Sequence, residues 1–195
     1  MRHKIAIEGF AYRLRPIGDK DADFIIKLRS DAELIRFLHS TPPSLDSQLD
    51  WLAQYYTRPG DWYFVLERRS DSSAEGLISL YDFDAQQFSA EWGRWILRKG
   101  SIAAVESAWL IYRCAFEQLS LREVYCRTVA ANESVVSFHD SCGITERSLL
   151  PNHFNLNGRK LDAVEHRVND AAWKTLAPRL EHLSQRMARK LHRDA

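Results

Sequence analysis

The sequence predicts a mixed α/β fold in which helices pack against a central sheet. Three strand-like segments follow one another as a meander at residues 62–67, 76–82 and 88–97. The next segment, residues 102–119, is apolar on nearly every face, so we expect a helix that is buried on more than one side. A strand, a helix and a further strand then alternate along the chain, which is typical of α/β domains.

One strand and three short helices precede the meander. Alternating apolar and charged residues predict a strand at 12–16, which ends at a proline. The helical spacing of apolar residues predicts a first helix at 19–28 and a shorter second one at 34–38, which two prolines stop. A serine or an aspartate can cap a third helix at 44–56.

After the long apolar helix, the chain returns to alternating strands and helices. The pattern predicts a strand at 123–129 and a helix that begins at Asn132 and ends at Gly143. Further strands are predicted at 144–150 and 161–168. We therefore expect a domain at 1–169, followed by a helical extension at 170–195.

The extension carries a regular apolar seam. Its residues are spaced 3, 4, 3 and 4 apart and are Trp173, Leu176, Leu180, Leu183 and Met187. Pro178 is expected to divide the extension into two helices, because proline lacks the amide hydrogen that a helix interior requires. The seam either packs back onto its own domain or forms a contact with a partner, such as a second copy in a homodimer.

Composition argues against several classes of partner. The 195 residues include 27 Lys and Arg against 26 Asp and Glu, a net charge of +1. Nucleic acids and anionic membranes usually require a concentrated basic excess, so we expect neither as a partner. The seven histidines fall in no zinc-type pattern, and we expect no metal.

The three cysteines and the N-terminus indicate a reducing compartment. Cys114, Cys126 and Cys142 are too widely spaced for a CxxC motif, so buried free thiols are expected. The N-terminal apolar stretch is broken at Glu8, well short of a signal-peptide core. We therefore expect a soluble, cytoplasmic protein.

A short basic loop joins the third strand of the meander to the long helix. It reads Arg98, Lys99, Gly100 and Ser101. A strand that delivers such a loop to a helix N-terminus offers backbone N–H groups and the positive end of a helix dipole to a phosphate or pyrophosphate. The other interpretation is an ordinary turn with solvated side chains.

In its order of elements the chain resembles the GNAT superfamily of acyl-CoA N-acyltransferases, and particularly its RimJ- and RimL-like members. The matching residues are Glu91 and Gly93 on a strand, the loop at 98–104, Asn132 at the start of the next helix and Gly143 at its end. The resemblance covers residues 11–168. It implies a mostly antiparallel sheet that is splayed in the middle, and acetyl-CoA as co-substrate.

The resemblance also implies roles for individual residues in direct transfer of an acetyl group to an amine. Glu91 would remove the amine proton, backbone N–H groups near Ile96 and Leu97 would polarise the thioester carbonyl, and His139 would protonate the thiolate. His139 occupies a position where the family commonly has a tyrosine. The implied coenzyme-binding residues are Ile96, Leu97, Arg98, Lys99, Gly100, Ser101, Ala103, Ala104 and Asn132.

Each of these residues also has a structural interpretation. Glu91 could be a carboxylate at the rim of the site that pairs with Arg94 or Arg98. His139 could be a hydrogen-bonded histidine at the edge of the core, and Asn132 could serve only as a helix cap.

The acceptor pocket would be built from the early helices and the strand edges. Aromatic and polar side chains there, His39, Trp62 and Tyr81 among them, suit a ring or a nucleotide base, although each could equally be a core residue. We expect a small-molecule amine, with a nucleotide-linked amino sugar as the favoured class. The alternatives are a protein N-terminal amine, as in RimJ-like enzymes, and a non-catalytic module that binds acyl-CoA.

Overall fold

The chain folds into an eight-stranded sheet with helices on both faces. The computed structural model describes residues 2–193. Met1 and residues 194–195 lie outside the described residues. They are the first residue of the predicted domain at 1–169 and the last two of the predicted extension at 170–195. The strands are β1 (Ile7–Glu8), β2 (Tyr12–Pro16), β3 (Trp62–Arg68), β4 (Ala74–Asp84), β5 (Ser89–Leu97), β6 (Glu123–Val129), β7 (Arg147–Leu156) and β8 (Arg159–Asn169). The helices are α1 (Ala22–Arg29), α2 (Leu45–Tyr55), α3 (Ala104–Arg113), α4 (Glu133–Cys142) and α5 (Asp170–Arg193).

The sheet is split near its middle. Its strand order is β1-β2-β3-β4-β5-β6-β8-β7, and every neighbouring pair is antiparallel except β5 with β6. That parallel pair extends only over Ser89–Glu91 opposite Glu123–Tyr125, after which the strands separate. The predicted mixed α/β fold with a mostly antiparallel sheet is therefore confirmed.

Two hydrophobic cores lie on opposite faces of the sheet. The larger one packs α3 and α5 against the sheet, and the ring of Trp173 lies 5.8 Å from Tyr112 and 5.5 Å from Phe116. The smaller core lies under α1 and α2, where Ile25 and Leu52 are buried. Each such apolar side chain stabilises the fold by roughly 1.5–3 kcal/mol.

The predicted second helix at 34–38 is wrong. The structure has only turns at 32–37, and Asp31 competes with helix formation because its Oδ1 accepts bonds from the backbone N–H groups of Glu33 (3.0 Å) and Leu34 (3.4 Å). A segment this short also lacks the length to offset the unfavourable nucleation of a helix.

The predicted break at Pro178 is also wrong, because α5 continues through it as one helix. Pro178 is exposed, whereas Leu176 and Leu180 on either side are buried against the domain. Packing of this face offsets the roughly 3 kcal/mol that an interior proline costs a helix. After Leu180 the buried residues are Ser184 and Ala188 rather than the predicted Leu183 and Met187. A spacing of four is expected for a helix with 3.6 residues per turn.

Most other predicted elements form close to their predicted bounds. The exceptions are β1, which the sequence pattern did not reveal, and β7, which begins later than predicted and runs to Leu156. The predicted 102–119 helix is α3 followed by a π-helical segment at Cys114–Gln118. Among residues 2–193, none of the helices combines the length and apolar character needed to cross a bilayer.

Candidate active site

A cavity of about 860 Å³ opens where β5 and β6 separate. Its walls include β5 from Glu91 to Leu97 on one side, and β6 from Cys126 to Val129 with the start of α4 on the other. The segment between α1 and α2 closes one end. Because residues 92–97 have no pairing with β6 in the described structure, one edge of β5 leaves backbone groups available to a ligand.

A β-bulge shapes the β5 wall. Gly93 pairs with Ser79 and Ile96 with Leu77, so β5 contains one more residue than β4 in this interval. Arg94 has a φ of +49°. The bulge directs Trp92 and Trp95 to the same side of the sheet, where their rings lie 5.6 Å apart.

Glu91 lies at the point where the two strands begin to separate. Its side chain is only 8% exposed, and it faces the cavity. Oε1 accepts a hydrogen bond from Tyr81 Oη (2.9 Å), and Oε2 accepts one from an Arg127 nitrogen (3.1 Å). Burial raises the pKa of Glu91, which makes the carboxylate a stronger base than a solvated one.

The cations suggested from the sequence as partners of Glu91 are engaged elsewhere. Arg94 forms a two-bond ion pair with Asp61, at 2.7 and 3.0 Å. Arg98 pairs with Glu75, with bonds of 3.0 and 2.8 Å. The partner of Glu91 is instead Arg127, from β6.

The two cations of the basic loop are neutralised by acidic side chains. Besides the Arg98–Glu75 pair, Lys99 lies 3.0 Å from Asp31 and 2.8 Å from Glu33. Gly100 has a φ of +77°, and a Cβ there would meet no atom within 4 Å, so the backbone at this turn is open. The loop therefore offers mainly backbone N–H groups, including those at the start of α3, to an anion.

The implied coenzyme-binding residues divide into two groups. Ile96, Leu97 and Asn132 line the cavity. The loop residues lie outside the lining among the described residues, in the turn between β5 and α3 or at the start of that helix; they are Arg98, Lys99, Gly100, Ser101, Ala103 and Ala104.

His139 lies deep in the wall of the cavity, on α4. It is 1% exposed, its ring lies 5.2 Å from Trp92, and Nε2 is 3.6 Å from Cys126 Sγ. Burial and the neighbouring His166 lower the pKa of His139 to about 3, so the imidazole is neutral near pH 7. This state favours the packing role that the sequence left open over that of a proton donor.

Asn132 occupies the N-cap position of α4 without capping through its side chain. Its backbone oxygen accepts bonds from Val135 and Val136, and its Oδ1 accepts a bond from the Ser134 hydroxyl (3.0 Å). The side chain borders the cavity and is available for a polar contact there.

The three residues suggested for the acceptor pocket do not all meet. His39 and Tyr81 line the cavity, whereas Trp62 packs 5.7 Å from Phe83 and lies outside the lining. The described structure adds arginines that the sequence analysis did not single out, among them Arg29, Arg36, Arg58 and Arg127.

These arginines were missed because their placement depends on contacts distant in sequence. Arg127 meets Glu165 only through the β6–β8 register, in which the two residues are direct partners. The one available signal was the predicted strand at 123–129, whose alternation places Tyr125 and Arg127 on the same face.

No group of three or more His, Cys, Asp or Glu side chains within the described part of the chain is arranged to hold a metal ion.

Comparison with known proteins gives consistent matches. The family model described as "Acetyltransferase (GNAT) domain" matches residues 12–145. The chain is 28% identical over 166 residues to a candidate ribosomal N-acetyltransferase, YdaF, of Bacillus subtilis (strain 168), and the match covers 80% of this chain and 88% of that protein. Apo FdhC, a nucleotide-linked sugar GNAT, is 26% identical with a TM-score of 0.74 over 89% of this chain and 94% of its own. The spermidine N-acetyltransferase of Vibrio cholerae in complex with CoA and spermine shares the fold, with a TM-score of 0.75 at 21% identity over 84% of this chain and 98% of its own.

Proposed function

The chain belongs to the GNAT acetyltransferase family and is an acetyl-CoA-dependent N-acetyltransferase, and we propose that its acceptor is the primary amine of a nucleotide-linked amino sugar. The observation that supports this acceptor class best is the charge at the end of the cavity next to α1 and α2.

Three arginines, Arg29, Arg36 and Arg58, line that end, and within residues 2–193 none of them forms an ion pair with a carboxylate. The one nearby acid in the lining, Glu33, is paired with Lys99. Arg29 donates hydrogen bonds only to neutral groups, the His39 backbone oxygen (2.8 Å) and the Thr41 hydroxyl (3.2 Å). Guanidinium groups whose charge no carboxylate balances attract a diphosphate and repel a polyamine. Charge therefore favours an anionic acceptor.

Aromatic surface next to these arginines suits a nucleotide base. Trp51 lines the cavity, with the guanidinium of Arg58 5.6 Å from its ring centroid and that of Arg94 5.8 Å away. Stacking between such rings and planar groups contributes roughly 0.5–1.5 kcal/mol. The 26% identity to FdhC, a nucleotide-linked sugar GNAT, is in keeping with this assignment.

The residues at the strand separation fit a thioester co-substrate. The free edge of β5 offers backbone groups near Ile96 and Leu97, and the open turn at Gly100 brings the α3 N-terminus close to the same edge. When bound, acetyl-CoA supplies the activated acetyl group. Backbone N–H groups of β5 then polarise the carbonyl, and Asn132 provides a polar contact on the opposite wall.

Glu91 acts as the base in this proposal. An amine attacks only as the neutral species, so the ammonium proton must first move to the carboxylate, directly or through a water. Burial of Glu91 raises its pKa and so increases its affinity for that proton. Acetyl transfer is direct, with no covalent acyl-enzyme. The amine nitrogen bonds to the carbonyl carbon, the carbon–sulfur bond breaks, and the thiolate leaves as CoA thiol with the proton that the new amide nitrogen loses.

A protein N-terminal amine is the second candidate acceptor, because the curated relative YdaF is a candidate ribosomal N-acetyltransferase. The arginine-lined end of the cavity argues against a basic peptide. The third alternative from the sequence, a module that binds acyl-CoA without catalysis, is set aside because the family match supports an acetyltransferase.

An acceptor panel separates these possibilities. Free thiol released from acetyl-CoA is measured with a nucleoside diphosphate-linked amino sugar, the free amino sugar, spermidine and a peptide with a free N-terminus. We expect the first acceptor to have the highest kcat/KM. A higher value for the peptide or for spermidine would overturn the proposed acceptor.

Arginine variants make the test specific. Loss of a charge-assisted hydrogen bond costs about 1.5–3 kcal/mol. Arg36→Ala or Arg58→Ala should therefore lower kcat/KM for the nucleotide-linked sugar by roughly ten- to a hundredfold, with the free amino sugar unaffected. Arg189→Ala, an exposed position on α5, serves as the matched control.

Thermal unfolding with acetyl-CoA tests binding of the co-substrate separately from the choice of acceptor. A ligand at about one hundred times its Kd adds roughly 2.7 kcal/mol of apparent stability, which is a rise in Tm of roughly 5–10 °C for a chain of this length. Such a rise without turnover of any amine in the panel would overturn the proposed acceptor while leaving the co-substrate in place.

A further inference from the structure

Glu91 is held from two neighbouring strands at once. Tyr81, its direct partner on β4, donates to one carboxylate oxygen, and Arg127 on β6 donates to the other. The last pairing between β5 and β6 joins Glu91 to Tyr125, so Arg127 lies two residues beyond it and reaches across the opening gap. Arg127 is thus the side-chain link between the two strands at the mouth of the split.

The guanidinium of Arg127 is itself fixed. Its Nε donates to Glu165 Oε2 at 2.8 Å, and its carbon lies 4.6 Å from the centre of the Tyr125 ring. Glu165 also accepts a bond from Arg167 Nε, at 2.7 Å. Because Glu165 has this second cation, Arg127 is not required to neutralise it alone and remains available to Glu91.

We propose that Arg127 is a positioning residue that holds the Glu91 carboxylate in its ionised form and turned toward the cavity. This inference rests on the proposed role of Glu91 as the base. Arg127 itself need not contact either substrate. It acts through the bond to Oε2, which fixes the carboxylate together with the Tyr81 hydroxyl.

The charges around Glu91 oppose one another. Burial raises its pKa, the hydrogen bond from Tyr81 and the positive charge of Arg127 lower it, and the negative charges of Asp82 and Glu165 raise it. The titratable and charged groups close enough to interact electrostatically with Glu91 are Tyr81 and Asp82 from β4, Tyr125, Cys126 and Arg127 from β6, and Glu165 from β8. Arg127 is the cation in this set.

Removal of the Arg127 charge should change the pKa of Glu91 in one direction only. Without Arg127, Glu91 keeps its burial and its acidic neighbours but loses the opposite charge, so its pKa rises further. A higher pKa leaves more of the carboxylate protonated at acidic pH, and a protonated carboxylate cannot accept the amine proton. Activity should therefore fall most at low pH and recover as pH rises.

The direct test is a carboxyl titration by NMR of the apo protein labelled with δ-¹³C glutamate. The resonance missing from Glu91→Gln identifies Glu91. We expect its midpoint to move to higher pH in Arg127→Met, and to stay near the wild-type value in Arg127→Lys, which keeps the charge. Arg13→Met, which breaks an ion pair with the buried Glu67 at a distant site, is the matched control. A midpoint that does not move in Arg127→Met overturns the inference.

Kinetics connects this coupling to catalysis. With acetyl-CoA and the nucleoside diphosphate-linked amino sugar, kcat/KM of Arg127→Met should fall by roughly tenfold near pH 6 and by less than about threefold near pH 9. An equal loss at all pH values, with a lowered Tm, would mean that Arg127 only supports the fold. If the NMR midpoint moves but Glu91→Gln keeps full turnover, the proposed base is wrong while the coupling stands.

Discussion

Gly93 faces Tyr81 across the sheet with no room for a side chain. A Cβ built at this position would lie 2.6 Å from the Tyr81 hydroxyl, and 3.2 and 3.3 Å from two carbons of its ring. The backbone of Gly93 is outside the left-handed region, so the conflict is one of space. In Gly93→Ala, the new methyl group would therefore clash with Tyr81, the residue that donates a hydrogen bond to Glu91.

The expected magnitude follows from these contacts. The ring must retreat by several tenths of an ångström to reach an ordinary contact, and this carries its hydroxyl away from the Glu91 carboxylate, now 2.9 Å away. Overpacking costs about 1–3 kcal/mol, and a lost hydrogen bond to a charged group costs about 1.5–3 kcal/mol. Together these costs lead us to expect that Gly93→Ala lowers the free energy of unfolding by about 2.5–6 kcal/mol, with a Tm decrease of roughly 5–24 °C.

A double-mutant cycle with Tyr81→Phe isolates the mechanism. Phenylalanine removes the atom that the new Cβ would approach most closely, so Gly93→Ala should cost at least about 1 kcal/mol less when it is combined with Tyr81→Phe than when it is made alone. Urea unfolding of the four proteins measures this coupling. Gly18→Ala is the control, because a Cβ there would meet only one oxygen, at 3.9 Å. Additive effects, or a Gly93→Ala protein as stable as wild type, would refute the steric argument.

Three further predictions address the rest of the site and the fold. His139→Gln should lower Tm but leave the pH dependence of kcat/KM unchanged between about pH 6 and 9, because the pKa of His139 is already lowered to about 3. A shift in the pH at which kcat/KM rises or falls would instead support His139 as a proton donor. Lys99→Gln should raise the KM for acetyl-CoA by less than about threefold, because Asp31 and Glu33 already bind the ammonium group. Asp31→Asn combined with Glu33→Gln should lower that KM, and steady-state kinetics at low salt measures both effects. A chain truncated after Asn169 should lose cooperative thermal unfolding in circular dichroism, because α5 contributes several buried side chains to the larger core; a sharp transition near the full-length Tm would show that the domain stands without it.

Local patterns were enough to predict most of the elements. The 62–67 and 123–129 strands and the helix after Asn132 form nearly as predicted, because alternation, helical spacing and a terminal glycine are properties of short segments. The two wrong predictions have different origins, one local and one tertiary. The turns after Asp31 come from a side chain that bonds to nearby backbone, and the helix through Pro178 comes from tertiary packing that outweighs a local preference.

The site was predictable only in part, for the same reason. Glu91 and Tyr81 lie in neighbouring predicted strands, and both face one cavity in the structure. The cation that binds Glu91 lies 36 residues away, on a strand that pairs with β5 over only three residues. Sequence spacing carries no information about such a contact, because it depends on strand register and on where the two strands separate.

The bulge in β5 determines which side chains of this strand lie on each face of the sheet. In a regular strand, side chains alternate, and Arg94 would share a face with Trp92. The inserted residue instead keeps Gly93 and Arg94 on the face of α1 and α2, where Arg94 lies 4.4 Å from the Tyr81 ring, and returns Trp95 to the face of α3. Without the bulge, the guanidinium of Arg94 would point into the apolar core and Trp95 toward the proposed acceptor. The irregularity therefore determines which chemistry each side of the split sheet presents, and a deletion at this position should abolish activity even where the sheet still forms.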